Sequence, residues 1–130
     1  MAPISVTLAP RDPPAAVVAL VGEHDAYSAA RLEGELGVLL NQGRRIVVDL
    51  SDTDFIDSTT LAALLAARRG AAEAELGFTV VLPHWSYTQV TQLLDLTGLK
   101  SSFAVYDTLD EALAAARDGR TGGSQKRRVA

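Results

Sequence analysis

Residues 52–60 read DTDFIDSTT, with three carboxylates, Asp52, Asp54 and Asp57, running directly into three hydroxyls, Ser58, Thr59 and Thr60. Two kinds of chemistry suit that pattern where a strand gives way to a helix. A hydroxyl at a helix start accepts a hydrogen bond from an orphan backbone N–H, worth about 1 kcal/mol. One hydroxyl suffices for that cap, which leaves two without a task. The second chemistry is phosphoryl acceptance. Free N–H groups and the helix dipole favour an anion at a helix N-terminus. A phosphoserine there adds a charge of about −1.5 to −2 and three strong acceptor oxygens. A partner docked on these acids would meet new bulk and charge while the fold stays intact, which is the physics of a binding switch.

Other chemistries find little footing. There is no GxxxxGK[ST] phosphate loop and no GxGxxG motif. His24 and His84 are the only histidines and do not form an HExxH pair, and there is no cysteine, so no metal site is expected. Ser58 is not preceded by the GxS of a nucleophile elbow. A Ser–His–Asp set that meets only in space would leave no sequence mark. The expectation is a protein that is not an enzyme and carries no cofactor. His24 reads as a partly buried, hydrogen-bonded imidazole, and Trp85, after Pro83 and His84, as a cover for the edge of the core.

The elements that must position this junction follow from hydropathy. Ile4–Leu8 alternates weakly as a strand, and Arg11-Asp12-Pro13-Pro14 is a turn. Ala16–Val21, Arg45–Leu50 and Phe78–Leu82 are continuous apolar runs typical of strands buried on both faces. Phe103–Tyr106 is a short last strand. Helical spacing places Leu32, Leu36, Leu39 and Leu40 on one helix, and Leu61, Leu64 and Leu65 on the next. Val90, Leu93 and Leu94 mark a third helix, and Leu109, Ala112, Leu113 and Ala116 a fourth. The order β-β-α-β-α-β-α-β-α predicts an α/β fold, with a mostly parallel sheet, an antiparallel edge strand and about four helices.

The chain has 130 residues, enough for one domain with a proper core, and 48% of them are apolar. No apolar run approaches the roughly 20 residues of a membrane helix, so a cytoplasmic protein without membrane insertion is expected. The net charge of −4 divides unevenly. Residues 117–130, RDGRTGGSQKRRVA, carry +4 and lack apolar periodicity, which predicts a disordered basic tail behind a domain at 1–116. The acidic body argues against nucleic-acid binding by the folded part.

The stretch VVDLSDTDFIDSTTLAALLAARR resembles the signature of STAS domains, specifically bacterial anti-sigma factor antagonists, in which a D-S-S/T-G-L motif joins a strand to a helix. VALVGEHDAYSAARLEGEL resembles the family's G-E-[LI]-D strand end and the helix after it, and TQLLDLTGLK its L-x-x-T-G-L segment. The resemblance runs from about Ile4 to Arg117. It implies that Ser58 is the phosphoacceptor, with Thr59 or Thr60 as the alternatives. Asp25, Asp57, Thr59 and Thr60 would then form the partner-binding surface. It implies an anti-sigma factor of the serine-kinase type as partner, release of a sigma factor in a stress response, and a phosphatase that resets the switch. The family's Gly after the two hydroxyls is Thr60 here, a branched side chain where Gly allows close backbone approach. An accessory subunit of a membrane transporter, including lipid transporters, and a signalling-scaffold protein are the alternative roles for such a domain.

Overall fold

The computed structural model describes residues 3–9, 12–85 and 87–122. Strands β1 (Ile4–Ala9), β2 (Ala15–Leu20) and β3 (Gly22–His24) precede helix α1 (Ala26–Asn41). Strands β4 (Arg45–Asp49) and β5 (Thr53–Ile56) then lead into α2 (Ser58–Glu73). Strand β6 (Phe78–Val81), α3 (Gln89–Thr97), β7 (Ala104–Tyr106) and α4 (Leu109–Arg117) complete the order. The main sheet runs β1-β2-β4-β6-β7. Only the β1–β2 edge pair is antiparallel. This is the expected α/β architecture with four α-helices.

Period-two alternation explains how the helices divide between the faces. Val18, Val48 and Val80 are in register across β2, β4 and β6. They share one buried cluster with Leu32 and Leu36 of α1, Leu61 and Leu64 of α2, and Leu94 of α3. Val47 and Val81 point the other way and pack on Ala112 and Ala116 of α4. The parallel strands are therefore covered on both sides, as their unbroken apolar runs require.

Strands β3 and β5 were not expected. They form a separate two-stranded parallel sheet that pairs His24 with Ile56. Gly22, at φ +84°, lets the chain leave the main sheet just after β2, and its N–H donates to Asp52 O at 3.0 Å. The acid-rich stretch 52–57, to which no strand was assigned from sequence, is thus largely a strand. The effect is to carry the ends of β3 and β5 side by side to the starts of α1 and α2.

The tail expected from Arg117 onward remains part of the body as far as Gly122. Arg117 closes α4, Phe78 N–H donates to Arg120 O at 2.7 Å, and Thr121 is buried. Residues 123–130 of the expected tail and Arg11 of the expected first turn, with Met1, Ala2, Pro10 and Ser86, lie outside the described residues. Among the described residues no helix is long and apolar enough to cross a membrane.

Close packing of α4 leaves no room at Gly77. A Cβ there would run into Ala116 O, a backbone atom that cannot swing aside. Gly77→Ala is expected to cost about 3 kcal/mol or more, at or above the upper end of ordinary overpacking. A urea midpoint within error of wild type would contradict this packing.

Candidate functional site

Asp57 has extended backbone angles and caps α2, its Oδ1 accepting from Thr60 N–H at 2.9 Å. The cap is therefore a carboxylate, where the sequence suggested a hydroxyl. Asp wins because its oxygen also accepts from Thr59 Oγ1 at 2.7 Å and from Thr60 Oγ1 at 3.0 Å. Ser58 is the first residue of the helix and is exposed, and the cap is made by the residue before it. Thr59 is also exposed.

Thr60, expected among the partner contacts, is completely buried. Its hydroxyl lies over Asp57 and within 3.4 Å of His24 O, tying the start of α2 to β3. The branched side chain that replaces the family's Gly points inward and leaves the approach to Ser58 open.

Asp25 caps α1 in the same way. Its Oδ1 accepts from Tyr27 N–H and Ser28 N–H, while Ser28 Oγ accepts from Asp25 N–H, completing a capping box. This cap starts the helix at Ala26, before the first of the spaced leucines, Leu32. Since His24 pairs with Ile56 and Asp57 N–H donates to His24 O at 3.2 Å, the two capping aspartates stand side by side. Asp52, Asp54 and Glu23 are exposed around them. Beneath the caps His24 is fully buried, with Nε2 at 3.1 Å from Val21 O and Nδ1 at 3.2 Å from Ser28 Oγ. It is a structural tie, as its sequence position suggested, and more deeply placed than expected.

A groove of about 670 Å³ opens beside Asp25, lined by Val21, Glu23, Tyr27 and Phe55 among others. Tyr27 is 71% exposed and Phe55 39%. Aromatic side chains presented this way beside a polar rim are what protein interfaces use as anchors. Sequence reasoning missed both because each lies in a segment dominated by charged and small residues.

Trp85 does not cover the core. It is 67% exposed and meets the His84 ring edge-on at 5.2 Å. The residue before it, His84, is pinned across the chain to Asp107 through its N–H at 2.9 Å and its Nδ1 at 2.8 Å, which turns Trp85 outward.

Burial raises the Asp57 carboxyl, but hydrogen bonds from Thr59 and Thr60 outweigh it and hold the group below its ordinary value. A lowered folded-state pKa contributes stability above the unfolded value and loses it as pH falls through the folded one. Asp57→Ala is therefore expected to cost about 1 kcal/mol near neutrality. The gap from wild type should narrow below about pH 4, where wild type also loses its carboxylate. Urea unfolding at both pH values checks this, and a gap that widens in acid would contradict it.

The family described as "Mlab, STAS domain" matches residues 8–106. The anti-sigma-F factor antagonist RsfB of Mycobacterium tuberculosis is 33% identical over 122 residues, covering 92% of this chain and 96% of that protein. The crystal structure of an anti-sigma factor antagonist from Mycobacterium paratuberculosis superposes with a TM-score of 0.69 at 32% identity, covering 89% of this chain and 96% of that one. The anti-sigma factor antagonist SpoIIAA in its unphosphorylated form shares the fold, with a TM-score of 0.67 at 15% identity over 98% of this chain and all of that one. The chain belongs to the STAS domain family.

Proposed function

We propose that this protein is an anti-sigma factor antagonist. It binds an anti-sigma factor through the face around the start of α2 and thereby frees a sigma factor, and phosphorylation of Ser58 switches it off. The observation that carries the reading is the exposed Ser58 in the first turn of a helix already capped by Asp57. Its hydroxyl is available to a kinase, and the helix N-terminus favours the phosphate it would receive. The similarity to RsfB over nearly the whole chain supports the role.

In this reading the partner is a serine kinase. Ser58 Oγ attacks the terminal phosphorus of ATP, the bond to the bridging oxygen breaks, ADP leaves and the hydroxyl proton passes to a base of the kinase. A phosphatase reverses the modification by hydrolysis. The protein contributes a presented hydroxyl and a binding face, and no catalytic group. Asp25, Asp57 and Thr59 form the rim of that face, and Tyr27 and Phe55 offer apolar contact beside it. Thr60 holds the rim from within.

Affinity purification of the intact chain from its native cells tests the role. The expected partner is an anti-sigma factor, recovered with wild type and Ser58→Ala and lost with Ser58→Glu. Recovery of a membrane transporter ATPase with all three alike would contradict it.

A further inference from the structure

Strand β5 ends at Ile56, the residue directly before Asp57 and Ser58. One edge of β5 pairs with β3. On the other side stands Gln89, the first residue of α3, whose carboxamide meets both backbone groups of Ile56. Ile56 N–H donates to Gln89 Oε1 at 3.0 Å, and Gln89 Nε2 donates to Ile56 O at 3.0 Å. These are the two bonds that a residue of a neighbouring strand would supply. We infer that Gln89 is a positioning residue for the switch, a side-chain substitute for a third strand that fixes the Ile56 backbone and so the presentation of Ser58. The inference rests on the reading of Ser58 as phosphoacceptor.

The small sheet needs such a clamp. Its strands have three and four residues, with a register shift between Gly22 and Glu23. A two-stranded sheet of that length is marginal by itself. Gln89, in contrast, stands on a fixed element, since Val90 and Leu94 of α3 are buried in the core. The clamp works in both directions: Thr88, at the cap position of α3, makes no side-chain cap bond, and Gln89 ties the first turn of that helix to β5.

Two variants of the full chain separate hydrogen bonding from space filling. Gln89→Met keeps the length and loses both bonds. Gln89→Glu keeps an acceptor for Ile56 N–H and loses the donor to Ile56 O. Amide hydrogen exchange followed by NMR is expected to show Ile56 exchanging about tenfold or more faster in Gln89→Met, with the Val48 amide unchanged. In Gln89→Glu the Ile56 amide should remain protected while the Asp57 and Ser58 resonances shift. An Ile56 amide as slow in Gln89→Met as in wild type would overturn the clamp. If Gln89→Met does not fold, loss of Ile56 protection in Gln89→Glu would overturn it as well. Phosphate occupancy at Ser58, mapped in native cells at equal protein abundance, is expected to fall severalfold in both variants relative to wild type. Unchanged occupancy beside faster Ile56 exchange would overturn the positioning role. Absence of phosphate from wild type itself would sink the switch reading, a result distinct from any change in exchange at Ile56.

Discussion

Ser58→Glu is expected to weaken binding to the anti-sigma factor about 100-fold or more, while Ser58→Ala stays within about threefold of wild type. Ser58 stands exposed at the head of α2, directly after the capping Asp57, and the other capping aspartate, Asp25, lines the groove that carries Tyr27 and Phe55. A partner closing over that face would have to accommodate three extra heavy-atom positions and strip water from a new charge that has no counter-charge of its own. Desolvating an unpaired carboxylate outweighs the contacts a single side chain can regain. Stability should not follow affinity. An acid in the first helical turn is neutral or mildly favourable, by about 0.3–1 kcal/mol. Titration by calorimetry with thermal melts alongside gives both numbers. A Ser58→Glu protein that melts like wild type and also binds like wild type would remove the switch.

Thr60→Gly, which restores the residue usual in the family, is expected to do the reverse. It removes two hydrogen-bonding options, a buried methyl group and helix propensity, together about 2–3 kcal/mol of stability. Binding and the modification of Ser58 should be unaffected at temperatures where the variant is folded, because Thr60 is fully buried and faces Asp57 and His24. Sequence comparison alone suggests a Thr that obstructs approach to Ser58, and then Thr60→Gly would bind and react better at little cost in stability. Urea unfolding of the variant beside its affinity for the partner separates the two accounts. Higher affinity with unchanged stability would show that the side chain stands in the interface.

Long apolar runs made most of the architecture legible. RIVV and FTVV, closed by polar residues and Pro83, can be little else than strands buried on both faces. The leucines at helical spacing fixed the helices between them. What remained hidden depends on contacts across the chain. GEH and TDFI are too short and too polar to show period-two alternation, and they become strands only by pairing with each other. The site was half visible. Its acids and hydroxyls stand together in sequence, yet nothing there says that Asp57 rather than a hydroxyl caps α2, or that Thr60 turns inward. Those outcomes follow from the extended angles at Asp57 and from the His24 carbonyl above Thr60. Gln89 was invisible for the same reason, since Ile56 lies 33 positions away. Trp85 was misplaced because the contact that directs it outward joins His84 to Asp107 from another loop.

Phosphosite mapping by mass spectrometry, on protein taken from its native cells in growth and under stress, tests the switch most directly. The result expected is phosphate on Ser58, with an occupancy that changes between the two conditions and no phosphate on buried Thr60. Protein that carries no phosphate at Ser58 or Thr59 in either condition would contradict the switch and leave a STAS domain that acts by binding alone.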